Sequence, residues 1–193
     1  MVNFTDAAVA ISITLLILPL VDLGAQVAHE TLGSLLHDHW SNLLAFVISF
    51  AVIGNLWLLH HSLFELVGSY NAGLVRLNLL WLATITVLPF TTNVIANADH
   101  GLSGVYALYI GNILLASGTT LLMRFYLSTN PQLLREGATG ELNLLAAVVP
   151  SAILLLCLVL AVLVPVVGTY WLLLLFAATP IERLIKRRRP ASE

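Results

Sequence analysis

The sequence predicts an all-α integral membrane protein with six transmembrane helices, and three observations support this fold class. Of the 193 residues, 59% are hydrophobic and only 9% are charged, whereas soluble domains carry roughly 25% charged residues. The chain also contains six apolar segments of membrane-spanning length, and its basic residues lie on one side of them. This share of charged residues is too small for a surface that faces water. Lipid must therefore cover much of the molecule.

The six segments are long enough to cross a bilayer, which takes about 20 mostly apolar residues. The first segment has no basic residue before it, so we expect a retained helix rather than a cleaved signal peptide. The last two are separated by little more than Pro165 and Gly168, which favours a tight helical hairpin. The predicted spans are residues 4–21, 41–64, 73–96, 103–126, 143–164 and 166–185, within a single domain over residues 1–193.

The basic residues predict the orientation of these spans. With both termini cytoplasmic, every Lys and Arg lies in or beside a cytoplasmic region, and the opposite loops at residues 22–40, 97–102 and 165–168 contain none. This asymmetry follows the positive-inside rule, and five or seven spans would break it. The basic residues are Arg76, Arg124, Arg135, Arg183, Lys186, Arg187, Arg188 and Arg189.

The basic tail at residues 183–193 follows the last predicted span directly. A run of positive charge in this position is typical of an anchor at anionic lipid, so membrane lipid is the expected partner and nucleic acid is not. The predicted location is therefore the cell membrane, crossed several times by one chain.

The first predicted helix carries an aliphatic stripe. Ile11, Thr14, Leu15 and Leu18 share one helix face because they are three and four residues apart. Small residues at positions 7, 8 and 10 allow neighbouring helices to approach closely near the cytoplasmic end. Such a stripe usually faces lipid or a partner helix, and the pattern alone does not separate packing from a pore lining.

Polar residues gather at the predicted cytoplasmic ends of the first three helices. They predict either a structural network or separate interfacial side chains that extend toward water. A metal site formed by the two adjacent histidines alone is not expected, since neighbouring side chains on a helix point about 100° apart. These residues are Asp6 on the first helix, Trp57, His60 and His61 on the second, and Arg76 and Asn78 on the third.

The first 95 residues resemble the lysosomal and prokaryotic potassium channels of the transmembrane protein 175 type. That family carries R-x-x-x-F-S-D and A-I-x-x-T-L-L-x-L on its first helix, and F-x-V-I-G-x-x-W-x-x-H-H-x-x-F on its second. In this chain Thr5 replaces the serine, and the arginine of the motif would lie before Met1. The matching residues are Phe4, Thr5, Asp6, Ala10, Ile11, Thr14, Leu15, Leu16 and Leu18, then Phe50, Val52, Ile53, Gly54, Trp57, His60, His61 and Phe64, and finally residues 77–82 and 88–90.

The resemblance implies a homotetramer in a prokaryotic plasma membrane, with the first helix of each subunit lining a central pore. It implies a hydrophobic constriction at Ile11, further layers at Leu15 and Leu18, and a preference for potassium that depends on Thr14. Potassium would be the permeant ion, with no cofactor. The residues implied in a cytoplasmic structural network are Phe4, Thr5, Asp6, Trp57, His60, His61, Arg76 and Asn78.

Residues 166–170 superficially resemble the carbonyl filter of ordinary potassium channels. Their order differs, and the turn is too short for a preceding pore helix, so we predict no re-entrant filter loop. The histidines and acids of the first outer loop (His29, Glu30, His37, Asp38 and His39) predict a solvated, partly helical loop, with a metal or proton sensor as the alternative.

Two other function classes are alternatives to a channel. A proton-coupled secondary transporter would use Asp6 with His60 and His61, although the sequence shows no internal repeat. An enzyme would need a nucleophile, base or metal ligands at one depth. The sequence offers no such set outside the cytoplasmic cluster, so we do not expect an enzyme.

Overall fold

The computed structural model describes residues 2–24, 32–98, 102–142, 144–164, 170–172 and 174. The described part is helical and contains no strand, which confirms the predicted all-α class for these residues. Seven α-helices follow one another along the chain, with two short 3₁₀ turns at Pro131–Leu133 and Ala138–Glu141. The α-helices are α1 (Val2–Leu15), α2 (Leu18–Gly24), α3 (Leu32–Asp38), α4 (Trp40–Phe64), α5 (Ala72–Ala96), α6 (Ser103–Thr129) and α7 (Leu145–Leu163).

Among the described residues, four candidate spans are long and apolar enough to cross a membrane: Val2–Asp22, Trp40–Phe64, Ala72–Ala96 and Ser103–Thr129. Their ends lie within a few residues of the predicted ones. Helix α7 supplies a fifth apolar helix of 19 residues. Nearly all of the sixth predicted span, residues 166–185, and the basic tail lie outside the described residues.

The first span is interrupted, and Pro19 explains where. Proline has no N–H and its ring clashes with the carbonyl four residues earlier, which here is that of Leu15, the last residue of α1. The chain turns through Leu16 and Ile17 with shorter-range hydrogen bonds, such as that from the Ile17 N–H to the Thr14 carbonyl (3.3 Å). Helix α2 then resumes and carries Asp22.

Helices α5 and α6 form the centre of the bundle. Helix α5 packs against α1, α4 and α6, and α6 packs against α7. The largest fully buried side chains come mainly from these two helices, including Trp81, Ile85, Tyr109 and Ile113. Because α1 contacts only one side of this core, its other side has no partner within the described part of the chain.

The loops at the end of the bundle opposite Asp22 are joined by main-chain hydrogen bonds. The Gly68 N–H donates to the Leu133 carbonyl (2.9 Å), and the Arg135 N–H donates to the Leu66 carbonyl (2.9 Å). At the start of α5, the Asn71 side chain accepts a hydrogen bond from the Leu74 N–H (3.0 Å), which satisfies a free donor of the first helical turn. These hydrogen bonds therefore fix the positions of the helix termini at this end of the bundle.

Candidate functional site

The predicted aliphatic stripe lies on the exposed face of α1 and continues onto α2. Ile11 is 60% exposed, Leu15 40% and Leu18 51%, although all three are apolar. The opposite face of α1 packs against α4 and α5 and buries Thr5, Val9 and Ser12. Among the residues that the structure describes, this apolar face therefore has no protein partner.

Thr14 lies within this exposed stripe. Its hydroxyl donates a hydrogen bond to the Ile11 carbonyl (2.8 Å). Because the single hydroxyl proton is used within the helix, the oxygen presents its lone pairs to whatever lies beside α1. The side chain is therefore an acceptor on the exposed face.

Thr5, His60 and Asn78 meet in a buried hydrogen-bonded chain that joins α1, α4 and α5. The Asn78 Nδ2 donates to the Thr5 hydroxyl (3.1 Å), and the Asn78 Oδ1 lies 2.7 Å from the His60 Nε2. An amide oxygen can only accept, so the His60 Nε2–H is the donor. All three side chains are almost completely buried, so this chain fixes the rotation of three helices against one another.

Aromatic rings hold the His60 imidazole in place. The ring stacks on Phe64 at a centroid distance of 4.4 Å and on Trp81 at 4.0 Å, with interplanar angles of 22°. Both distances are short enough for direct ring contact. His60 is thus enclosed by protein on both ring faces.

Asp6 and His61 form a second, more exposed group at the same end. The Trp57 Nε1–H donates to the Asp6 carboxylate (2.8 Å). The His61 Nδ1 lies 3.8 Å from that same carboxylate oxygen, and the His61 Nε2 lies 3.7 Å from Glu65 Oε1. The imidazole of His61 therefore has a carboxylate near each ring nitrogen, whereas no carboxylate of the described residues lies within 4.0 Å of a His60 ring nitrogen.

Phe4 and Arg76 are not brought into either group. The Phe4 side chain is 65% exposed, and Arg76 is also exposed. In the outer loop, His37 lies 3.3 Å from Asp38, while His29 and Glu30 lie outside the described residues. No group of three or more potential metal ligands occurs within the described ranges.

A buried polar cluster at the centre of the bundle is not indicated by any pattern in the sequence. The Ser49 hydroxyl lies 2.7 Å from the Tyr109 hydroxyl and 2.8 Å from the Thr92 hydroxyl, linking α4, α5 and α6. In addition, the Asn112 side chain donates to the Thr84 carbonyl (3.0 Å). Isolated Ser and Thr residues in apolar helices give no periodic signal, because they often bond to their own helix backbone.

An open cavity of about 480 Å³, lined by both apolar and polar side chains, lies at the end of the bundle away from Asp6. We call it the Asp22 cavity. Leu15 and Leu18 of the aliphatic stripe form part of its wall, so the cavity and the exposed face of the first span are continuous. The other lining residues are Pro19, Asp22, His39, Asn42, Pro89, Phe90, Asn93 and Asn97.

Residues 1–89 match the family model described as the endosomal/lysosomal potassium channel TMEM175. A protein from Streptomyces collinus named as a potassium channel is 36% identical over 123 residues, covering 58% of this chain and 57% of that protein. A Gallus gallus protein named as the endosomal/lysosomal proton channel TMEM175 is 37% identical over 107 residues, covering 50% of this chain and 21% of that protein. The aligned region thus spans little more than half of the bacterial relative.

The fold is also similar to a solved structure. The crystal structure of a lysosomal potassium-selective channel TMEM175 homolog from Chamaesiphon minutus has a TM-score of 0.60 to this chain. The two are 26% identical, and the match covers 90% of this chain and 95% of the other. The predicted family resemblance is thereby confirmed: the first 89 residues match the TMEM175 family model, and the fold is similar to that of a bacterial TMEM175 homolog.

Proposed function

We propose that this chain is the subunit of a potassium-preferring channel in which four copies surround a central pore lined by the first helix of each. The observation that carries the proposal is the division of α1 into a buried face and an apolar exposed face. Four such faces around one axis cover each other and leave a narrow path between them, as closed cyclic symmetry allows. The names of the bacterial relatives support potassium as the ion.

The composition of the exposed face supports a pore rather than lipid contact. On α6, the exposed face repeats the large residues Leu108, Leu115 and Leu122, which suit contact with lipid tails. The exposed face of α1 instead mixes Ile11 with the small residues at positions 7 and 10 and the hydroxyl of Thr14. Small residues let four helices approach one another closely at one end.

The stripe is proposed to act in layers. Ile11 forms the hydrophobic constriction, where a narrow apolar ring excludes water and ions until it widens. Leu15 and Leu18 form further apolar layers toward the Asp22 cavity. Thr14 offers its hydroxyl lone pairs to a permeating cation, replacing part of the water that the cation loses.

The two polar groups at the Asp6 end are proposed to orient α1. The hydrogen bonds of Thr5 and Asp6 hold the buried face of the helix against Asn78 and Trp57. This contact fixes which residues of α1 face the axis. The network is therefore structural, with Phe4 and Arg76 left available for contacts beyond one chain.

The membrane topology of the proposal keeps six spans, cytoplasmic termini and a basic tail at residues 183–193 against anionic lipid of the cell membrane. Its support is the absence of Lys and Arg from the sequence of the opposite loops. In this orientation the Asp22 cavity opens on the side away from the cytoplasm.

The proposal is tested by ion flux from liposomes that contain the purified protein. Vesicles loaded with potassium and diluted into sodium buffer, without a pH gradient, should lose potassium and develop an inside-negative potential. Protein-free vesicles are the control for leak, and chemical cross-linking of the reconstituted protein should yield species up to four subunits. Equal potassium and sodium fluxes, or no flux above the protein-free control, would contradict the proposal.

A second candidate is proton movement through Asp6 and His61, with His60 nearby, as in a proton channel or a proton-coupled transporter. It is favoured by the position of His61 between the carboxylates of Asp6 and Glu65. The proton-channel name of the Gallus gallus relative supports it as well. Potassium flux that needs an imposed pH gradient, and that His61→Phe abolishes, would favour this candidate over passive potassium conduction.

A further inference from the structure

We propose that the Asp22 cavity is a docking site where a hydrated monovalent cation is held at one mouth of the pore. This inference rests on the proposed function, since it assigns a role to a cavity that adjoins the proposed path. The Asp6 end is excluded from it because Asp6 and Asn78 there already hydrogen-bond to Trp57 and His60.

The position of the cavity carries the first step of the argument. Leu15 and Leu18 line both the cavity and the exposed stripe, so a cation leaving the cavity meets the stripe directly. The break at Leu16 and Ile17 divides the stripe, so that Leu18 lies on the short helix α2, which also brings Asp22 to the cavity wall. The carboxylate is therefore placed beside the path without lying in its apolar part.

The donor atoms of the cavity suit a cation. Asp22 supplies a carboxylate that forms no ion pair with any residue in the described part of the chain. Directly after α5, the side-chain amide nitrogen of Asn97 donates to two oxygens of Asn93. One is the main-chain carbonyl oxygen (2.8 Å) and the other is the side-chain oxygen. The amide nitrogen of Asn97 is thus occupied, and its Oδ1 is left as an acceptor. Carboxylate, amide and water oxygens are the ligands that hard cations prefer.

The charges in the loops at this end of the bundle also favour a cation. The sequence of residues 22–40 and 97–102 contains no Lys or Arg and four acids, Asp22, Glu30, Asp38 and Asp99. A mouth lined by one sign of charge beside low-dielectric walls raises the local concentration of the opposite ion. Of the two acids that belong to the described residues, Asp22 lines the cavity and Asp38 does not.

The size of the cavity fits a cation that keeps its water. One water takes up about 30 Å³ in the liquid, so about 480 Å³ has room for an ion together with a hydration shell. A carboxylate and neutral amides hold such an ion through water, which is weak enough to let it leave. Conduction requires binding of this kind, favourable enough for entry and weak enough for release.

The test is single-channel recording of the full-length protein in symmetrical potassium chloride, with Asp22→Asn as the main variant. At about 10 mM salt, where the Debye length is about 30 Å, we expect the current of Asp22→Asn to fall about threefold. At about 1 M salt, where the Debye length is about 3 Å, the currents should converge with the wild type. Both recordings are made at about pH 8, above the range in which histidine side chains usually titrate.

Asp38→Asn is the matched control, because Asp38 lies at the same end with a 61% exposed side chain but does not line the cavity. It should lower the low-salt current much less than Asp22→Asn, and Asp22→Glu should retain the wild-type current. An unchanged low-salt current in an assembled Asp22→Asn channel would overturn the site. Equal losses in Asp22→Asn and Asp38→Asn would also overturn it, leaving only a diffuse surface charge.

Failure of the proposed function has a different signature. Wild-type protein that passes no potassium current at either salt concentration contradicts the channel itself. Wild-type current with an insensitive Asp22→Asn variant contradicts only the docking site.

Discussion

The two faces of α1 differ in a way that reverses the pattern of a soluble helix. The buried face carries the polar residues Thr5 and Ser12 beside Val9, and the exposed face carries the apolar residues Ile11 and Leu15. A soluble amphipathic helix buries its apolar stripe and exposes its polar one. In a bilayer the hydrophobic effect does not drive helices together, so hydrogen bonds and close packing select the buried face.

This difference assigns separate tasks to the two faces. The buried face joins α1 to α4 and α5 within one chain, and its residues have defined partners there. The exposed face has no such partners within the described part of the chain, so its residues act through other copies, lipid or ions. Substitutions on the buried face should therefore change stability, and substitutions on the exposed face should change flux.

The largest effect is expected for Asn78→Leu, on the partner of the buried face. The substitution keeps the number and branching of the side-chain heavy atoms but leaves the buried His60 N–H without its acceptor, which costs about 2 kcal/mol. The midpoint of thermal denaturation of the detergent-solubilised protein should fall clearly. Asn55→Leu, at an exposed position of α4, is the control and should not lower it. Equal midpoints for the two variants would mean that the buried chain does not orient α1.

The next effect is expected on the exposed face, for Ile11→Asn. A polar side chain at the proposed constriction keeps it hydrated, so potassium flux should rise about tenfold, or about 1.4 kcal/mol in barrier height. Selectivity over sodium should fall at the same time. Flux from liposomes with equal amounts of assembled protein measures both.

Leu58→Asn is the control for this prediction, since Leu58 on α4 is 58% exposed and Ile11 is 60% exposed. The same substitution there should leave flux per channel unchanged. A similar rise in both variants would show that the change acts through the membrane and not through a pore.

The contrast between the faces also shows what the sequence could predict. Hydropathy gave the ends of α4, α5 and α6 to within a few residues, because polar residues bound each apolar run. Hydropathy could not show the break in the first span. It follows from the missing N–H of Pro19, whose effect falls four residues earlier, at Leu15.

For the candidate site, the sequence predicted which residues lie at the Asp6 end but not which of them contact one another. Whether Asp6 meets Trp57 or His60 depends on how α4 is rotated, which no single-helix pattern contains. The Ser49 cluster was missed for a related reason. Its partners lie 43 and 60 residues away along the chain, so only tertiary packing brings them together.

A smaller effect is expected at the border of the two faces, for Trp57→Phe. The change removes the N–H that donates to Asp6 and keeps an aromatic ring. Asp6 is about one-third exposed, so water replaces much of the lost bond and the cost should be about 1 kcal/mol. The denaturation midpoint should fall by less than in Asn78→Leu. A loss as large as that of Asn78→Leu would show that this half-exposed contact, and not the buried chain, holds α1.

The smallest effect is expected for Thr14→Val, which removes a hydroxyl from the exposed face and keeps the shape of the side chain. The Thr14 hydroxyl donates its proton to the Ile11 carbonyl. The substitution therefore removes that hydrogen bond together with the lone pairs that the hydroxyl oxygen presents on the exposed face. We expect the potassium-to-sodium permeability ratio to fall about twofold to threefold, which is about 0.5 kcal/mol of differential stabilisation. Reversal potentials under potassium and sodium gradients measure the ratio, and Thr14→Ser should retain it. A ratio that stays at the wild-type value in Thr14→Val would move selectivity away from this hydroxyl. The exposed face of α1 would then set only how fast ions pass, and a polar element elsewhere, such as the Asp22 cavity, would have to set which ions pass.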